Sequence, residues 1–384
     1  MRIFYAADTS PNIAFHSNLW RDNLFLSLVD LGHDVVEFDF DFRETFQRIN
    51  TSDPRHSSFI KKNRGKVSEE LLKQIKIEHA KKPLDLFFSY FYDACIWPEV
   101  IDEIRSMGIK TVNWFCNGSY QIHLVKEISP HYDWCLVPEK FRIEDYKKMG
   151  ANPIYCQEAA NPNIYKPFEL TRDFDVTFVG QAYGERPSYV HHLLQKGLDV
   201  RVWGPGWGRD SIAESQDFFS RFFNLGSKVL VAKNWKGLLN KFQRKHQQKA
   251  VLRQIPQNVV GGILSDQELV KIFSRSKINL GLSACGDPQS TGSRILQVRL
   301  RDFEVPMSGG FYVVEYMEEL EQFFEVGKEI VCYSCLDDLT EKIKYYLRND
   351  SEREKIRLAG YERCLREHTW KKRFEKVFFE MGLK

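Results

Sequence analysis

The residues best suited to chemistry lie between Ile278 and Val314. An apolar run, Ile278 to Leu282, opens into a loop of small and polar residues, Ser283 to Ser293. A segment of helical character comes next, carrying Arg294, Arg299 and Arg301, then Glu304. The pair Gly309-Gly310 leads into a second apolar run, Phe311 to Val314. A helix that starts after such a loop presents unpaired N–H groups and a positive dipole end, which suits phosphate. Arginine adds charge and forked donors. A carboxylate further along the helix can accept from the two hydroxyls of a ribose. This pattern predicts a nucleoside diphosphate at the C-terminal edge of a sheet, with Ser293, Arg294 and Arg299 near the phosphates and Glu304 on the ribose. Arg294, placed nearer the expected helix start, is the favoured phosphate ligand. Asp302 could instead pair with one of the arginines and make them structural.

Two turns upstream have the same character. Gly180-Gln181-Ala182-Tyr183-Gly184-Glu185-Arg186 comes after a buried strand pattern and precedes a helix, the position where doubly wound sheets bind ligands. Gly180 would let a phosphate approach the backbone, and Arg186 would reach its oxygens. The next turn, Trp203-Gly204-Pro205-Gly206-Trp207-Gly208, offers Gly204 and Trp207 for a base or sugar to stack on, or else a rigid turn with packed indoles. Gln181, Tyr183, Gly309 and Gly310 complete the expected donor set.

The elements that must position these residues alternate in type. Ile3 to Ala6, Val35 to Phe40, Asp85 to Tyr90, Lys110 to Phe115 and Trp134 to Val137 read as strands. Helices are expected over Phe15 to Leu31, ending at Gly32, and over Pro98 to Met107, ending at Gly108. Between them, Arg43 to Lys82 reads as a charged, largely helical insertion with Ser68 as a helix cap. The pattern restarts after the turn-rich Asn161 to Pro167, with strands at Asp175 to Val179 and Val200 to Trp203 and a helix over Pro187 to Gln195. Strands alternating with helices predict an α/β protein with parallel, doubly wound sheets. The last helix, about Trp370 to Met381, carries an aromatic stripe of Trp370, Phe374, Val377 and Phe378.

The spacing from Glu304 to Gly309 and Val313 resembles the nucleotide-sugar site of GT-B glycosyltransferases, in the branch called CgeB-like. The stretches LGHDVVEFDFD, ANPIYCQEAANPNIYKP, DVTFVGQAYGERP and REHTWKKRFEKV extend the resemblance over nearly the whole chain. It implies two Rossmann-like domains facing a cleft: residues 1–168 for the acceptor and 169–365 for the nucleotide-sugar donor, with helix 366–384 crossing back to the first. It also implies sugar transfer from a nucleotide-activated donor, with no bound metal or other cofactor. Many related retaining enzymes carry a second glutamate eight residues before the ribose-binding one; here that position is Leu296, so retention and inversion both stay open. On the acceptor side the candidates are Asp8, Asn12 and Asn117. Cys116-Asn117-Gly118 stands where many relatives have two aspartates. Glu158, at the junction of the domains, is the expected carboxylate near the transferred sugar. His123 is the expected general base, with His131 as an alternative.

Composition sets the remaining bounds. The chain has 384 residues, long enough for two cores, and its 8 cysteines are too sparse for a disulfide scaffold. Cys332 and Cys335 form a lone C-x-x-C without the second pair that zinc would want. No signal peptide and no apolar run of membrane-spanning length is evident, so a cytoplasmic location is expected. Residues 218 to 265 contain nine basic residues and no Asp or Glu, although the net charge of the whole chain is only +3. Within 221–253, Trp235, Leu238, Leu239 and Phe242 have helical spacing, the pattern of a helix lying on an anionic membrane surface, or of an insertion packed on its own domain. The expected partners are therefore a nucleotide sugar, an acceptor that could be a glycan, a lipid-linked group or a protein, and the inner face of a membrane through 221–253. Nucleic acid is not expected, since no binding module accompanies the charge. A non-catalytic nucleotide-sugar-binding or scaffolding protein of the same fold is the rival reading. A Rossmann oxidoreductase is disfavoured because no G-x-G-x-x-G comes after either first strand.

Overall fold

Strand β1 (Arg2–Ala6) is buried at every position, as expected for a central strand covered on both faces. It heads a six-stranded sheet completed by β2 (Asp34–Glu37), β3 (Leu86–Ser89), β4 (Lys110–Trp114), β5 (Trp134–Val137) and β6 (Pro153–Tyr155), in the order β2-β1-β3-β4-β5-β6. All five pairings are parallel. The computed structural model describes residues 1–7, 18–208, 248–285 and 294–383. Asp8, Asn12, Ser293 and most of 221–253 therefore lie outside the described residues.

The helices of this unit include α1 (Leu26–Asp30), α2 (Ser57–Lys81), α3 (Pro98–Ser106) and α4 (Ile143–Lys148). A π-turn, Arg21–Phe25, precedes α1. Helix α2 corrects one expectation. Ser68 is not its cap: the helix begins at Ser57, and Ser68 lies buried inside it, accepting a hydrogen bond from the Trp97 N–H at 3.0 Å. A serine before an acidic pair suggests a cap, but here it falls within a helix that starts upstream.

A second sheet is built from β7 (Phe174–Val179), β8 (Val200–Trp203), β9 (Ser276–Gly281), β12 (Tyr312–Glu315) and β13 (Val331–Tyr333), in the order β13-β12-β9-β7-β8 and again wholly parallel. A two-residue antiparallel ribbon, β10 (Ala284–Cys285) with β11 (Ile295–Leu296), stands beyond the end of β9. Helices α5 (Arg186–Gln195), α6 (Asp266–Arg275), α7 (Leu300–Met307), α8 (Leu336–Arg348) and α9 (Asp350–Glu367) accompany this sheet. Its core takes Val176, Phe178, Val202, Ile278, Leu280 and Val313 from the strands, with Val190 and Ile343 from helices.

The chain divides into two units. One comprises the opening strand, Asn18–Glu158 and the chain from Trp370 onward; the other contains Ala159–Thr369. The final helix α10 (Trp370–Glu380) thus belongs with the first sheet. Its aromatic stripe is buried there: the Trp370 indole donates to Asn23 Oδ1 at 3.1 Å, and Phe374 meets Phe88 edge-on at 5.8 Å. No helix among the described residues is long and apolar enough to cross a membrane.

Candidate active site

In the second unit, the turns after β7 and β8 are joined to each other. The Gly180 N–H donates to the Trp203 carbonyl at 2.8 Å, and the Ala182 N–H donates to the Pro205 carbonyl at 2.9 Å. The Trp207 indole N–H closes the joint on the Gly180 carbonyl at 2.7 Å. Gly204 has φ +122°, and a Cβ there would stand 2.5 Å from the Gly180 oxygen. Only glycine fits both the conformation and the approach. Trp207 is fully buried and meets Phe178 edge-on. It therefore holds the turn, in keeping with the second of its two readings, the rigid turn with packed indoles.

Arg186 opens α5 and turns back over the first of these turns. Its Nη1 donates to the Gln181 carbonyl at 3.0 Å, and its Nη2 donates to the Leu282 carbonyl at 3.3 Å. The guanidinium lies 4.0 Å from the centre of the Tyr183 ring. Its Nε is buried without a hydrogen-bond partner. Burial, followed by the charges of Arg299 and Arg301, pushes the Arg186 pKa down to about 10. Tyr183 and Tyr312 pull the other way, and burial with the two cations prevails. Tyr183 sits between cations: Arg186 and Arg299 outweigh its burial and lower its pKa.

The segment after β9 differs from expectation. Arg294 does not begin a helix; it precedes β11, and α7 starts only at Leu300. A two-residue ribbon gives no periodicity to read. Arg294 is heavily paired. Its Nη1 and Nη2 reach the two Glu315 oxygens at 2.7 and 2.9 Å, and its Nε reaches Glu185 at 2.8 Å. The two carboxylates raise its pKa, Glu315 most. Arg294 thus fastens β12 to the start of α5, a structural role beside the phosphate-binding one expected of it.

Arg299 is the residue immediately before α7. Its side chain donates to the carbonyls of Ser283 and Ala284 at 3.4 and 3.0 Å, and its backbone N–H donates to Asp302 Oδ2 at 2.8 Å. Asp302 also receives the Tyr312 hydroxyl at 2.7 Å; burial pushes its pKa up to about 6. Leu296, half-buried, pairs with Ala284 in the ribbon.

Glu304 lies within α7 and is 2 % exposed. It is ion-paired with Arg301 at 2.8 Å and hydrogen-bonded to Tyr165. Burial raises its pKa against the pull of both partners. Gly309 and Gly310 end this helix. The Gly309 N–H donates to the Pro306 carbonyl and the Gly310 N–H to the Val305 carbonyl, each at 2.9 Å, with Gly309 at φ +68°. These two bonds make a Schellman cap. Both glycines are buried and set the position of Glu304.

In the first unit, the C-terminal edge of the sheet gathers Tyr90 and Tyr92 after β3, Cys116 and Asn117 after β4, Glu139 after β5, and Glu158 after β6. Asn117 donates to the Tyr90 hydroxyl at 3.2 Å and accepts the Tyr120 hydroxyl at 3.3 Å. Cys116 is buried and contacts the Tyr90 hydroxyl at 3.5 Å. Its thiol pKa is raised well above the ordinary range, by burial and then by the charge of Glu158. Glu158 is 6 % exposed. His123 is exposed on the short turn Ile122–Leu124. His131, by contrast, pairs with Asp102 at 2.7 Å, and Asp102 lines a cavity with Lys110, the first residue of β4 and therefore at the opposite end of the sheet. This removes His131 from the candidates.

Sequence reasoning missed Glu139, Glu185 and Glu315. The signal for Glu139 is its place two residues beyond the expected strand Trp134 to Val137, where a doubly wound sheet puts its ligand-facing loops. Among the described residues, no group of three or more His, Cys, Asp or Glu is placed to hold a metal ion.

Comparison with known proteins identifies the family and the fold. The family model described as "Glycosyl transferase-like" matches residues 186–378, half of the chain. No curated protein sequence matches significantly. Among solved structures, sucrose-phosphate synthase from Thermosynechococcus elongatus is 12% identical with a TM-score of 0.59, over 100% of this chain and 98% of that one. HepE from Anabaena, solved in complex with UDP, is 10% identical with a TM-score of 0.59, over 100% of both chains. AviGT4, a glycosyltransferase involved in avilamycin A biosynthesis, is 11% identical with a TM-score of 0.54, over 100% of this chain and 97% of that one. At such identities the likeness shows the fold, the two-domain α/β arrangement called GT-B.

Proposed function

The chain belongs to the glycosyl transferase-like family and is a glycosyltransferase; from that premise we propose that its second unit takes a nucleoside-diphosphate sugar at the C-terminal edge of its sheet. The carrying observation is the arginine cluster there. Arg186 has a buried Nε without a partner and a pKa lowered by burial, Arg299 and Arg301. An anion seated on Arg186 and Arg299 relieves that repulsion and supplies the missing acceptor. HepE, of the same fold, binds UDP and UDP-glucose, which makes a uridine donor the first to test.

In this reading Gly180, Gln181 and Tyr183 shape the phosphate pocket with Arg186. Glu304 accepts from the ribose hydroxyls, with the Tyr165 hydroxyl giving way to them. The acceptor lies on the first unit, near Asn117, His123 and Glu158. An acceptor hydroxyl attacks the anomeric carbon as the bond from that carbon to the diphosphate oxygen breaks. The electron pair leaves with the diphosphate, where the arginines stabilise it. The acceptor proton passes to a base on the first unit's edge, Glu158 or His123.

We place the chain in the CgeB-like branch on the spacing of Glu304, Gly309 and Val313, in the cytoplasm on its cysteine content, and at anionic lipid through 221–253. The test of the main reading is a thermal-shift and calorimetric screen with UDP, other nucleoside diphosphates and their sugars. Binding that is lost in Arg186→Ala supports it. A folded protein that binds none of them overturns it.

A further inference from the structure

Three groups within the second unit act on the buried carboxylate of Glu304. Arg301, one turn earlier on the same face of α7, brings Nη1 to 2.8 Å from Glu304 Oε2. The hydroxyl of Tyr165, itself buried, is hydrogen-bonded to the same carboxylate. Asp266, the first residue of α6, acts on it with like charge. Arg301 is thus the cation of the three, and α6 steadies it: its guanidinium lies 5.1 Å from the centre of the buried Phe273 ring. Arg301 Nη1 is buried without an acceptor in hydrogen-bonding alignment, so its hold on Glu304 is one of charge. The two favourable partners differ in kind. Arg301 is charged and belongs to the helix of Glu304, whereas Tyr165 is a neutral donor on residues 161–167, outside any helix or strand.

We propose that Arg301 is a positioning residue for the donor's ribose: it keeps Glu304 aimed, the Tyr165 hydroxyl holds the place of a ribose hydroxyl, and the site thereby selects ribonucleoside over 2′-deoxyribonucleoside diphosphates. This rests on reading Glu304 as the ribose carboxylate. A carboxylate accepts about four hydrogen bonds and donates none. A ribose brings two hydroxyls, one to replace Tyr165 and one to add. A 2′-deoxyribose brings one, which replaces Tyr165 and adds nothing. The preference needs an ionised acceptor, and Arg301 supports that form. Burial raises the Glu304 pKa, while Arg301, followed by Tyr165, lowers it. Without Arg301 the carboxyl takes a proton more readily and becomes a weaker acceptor.

The test is calorimetric titration of the full chain with UDP and with 2′-deoxy-UDP. Wild type should favour UDP by about 10–100-fold, the worth of one hydrogen bond to a charged group. Arg301→Gln should bring that ratio down to about fivefold, the worth of a hydrogen bond to a neutral acceptor. Arg301→Lys, which keeps the charge, should retain most of the wild-type ratio. The ratio is decisive because Arg301 also acts on Arg186, so its charge is felt by the diphosphate of both ligands alike, and a general loss of structure weakens both. Tyr165→Phe should move UDP affinity the opposite way, to about 2–10-fold tighter binding, since no hydroxyl then has to be displaced. An unchanged ratio in Arg301→Gln, an equal loss of it in Arg301→Lys, or weaker UDP binding by Tyr165→Phe overturns the proposal. Equal affinity of wild type for the two ligands also overturns it and takes Glu304 off the ribose. A wild type that binds neither refutes the donor reading itself, and this proposal with it.

Discussion

Arg294 separates a structural arginine from a ligand-binding one, and removing it gives a measurable answer. Its fork meets both oxygens of Glu315, whose side chain is 9% exposed, while Arg294 itself is 33% exposed. Arg294→Ala leaves that carboxylate nearly buried without the cation. Removing one partner of a buried pair costs about 3–5 kcal/mol; with one partner a third exposed, the lower end, about 3 kcal/mol, applies. For a unit of this size, 1 kcal/mol moves the melting temperature by about 2–4 °C, so the second unit should melt about 6–12 °C lower. Replacing both partners, Arg294→Leu with Glu315→Leu, should recover most of that loss, because no charge is then stranded. Differential scanning calorimetry of the two variants, with UDP titration of each at a temperature where it is folded, is the assay. If Arg294→Ala melts with wild type yet no longer binds UDP, the ion pair is incidental and Arg294 is a phosphate ligand after all.

The same geometry sets other outcomes. Glu304→Ala should lose about 1.5–3 kcal/mol of UDP binding, as for a lost charged hydrogen bond; calorimetry showing unchanged affinity removes Glu304 from the ribose. Gly204→Ala should destabilise by about 1–3 kcal/mol through backbone strain alone, with the contact on Gly180 adding to it, and an unaltered urea midpoint would contradict this. Glu139, with a folded-state pKa near 7 and an ordinary unfolded one, favours folding below the unfolded value and loses that contribution as pH rises towards 7. Wild-type stability should therefore fall between pH 5 and 8, and Glu139→Gln should flatten the part of that fall between pH 6 and 7, above the titration of Asp93 and Asp302 at about 6. Liposome flotation should show salt-sensitive binding to anionic vesicles through 221–253, weakened by changing Lys236, Lys241, Arg244 and Lys245 to Glu; no flotation at low salt rejects the membrane reading.

What could be read from the chain was whatever repeats. Apolar runs such as Arg2–Ala6 and Phe174–Val179 announce buried parallel strands, and the glycines after helices, such as Gly32 and Gly197 with φ +82° and +76°, mark where those helices end. Trp370, Phe374, Val377 and Phe378 gave away the buried face of the last helix in the same manner. The misreadings come from features too short to repeat. Ser68 mimics a cap inside a longer helix. The two residues of β11 turned an apparent helix start at Arg294 into a ribbon. Glu139 is a single carboxylate after a proline, and although the strand before it was read to its last residue, Val137, one carboxylate makes no motif. Which carboxylate an arginine meets, as with Arg294 and Glu315, is a matter of tertiary approach that spacing along the chain does not encode.

The joint between the turns after β7 and β8 has a third strand of attachment. Trp207 is tied to the Gly180 carbonyl, and the Gln248 side-chain amide reaches the Gly184 carbonyl at 3.4 Å. Two residues far apart in the sequence thus meet one five-residue turn, Gly180 to Gly184, the turn that carries Tyr183 and precedes Arg186. Whatever displaces Trp207 or Gln248 is felt first at that turn, as a pull on a latch is felt at its pin.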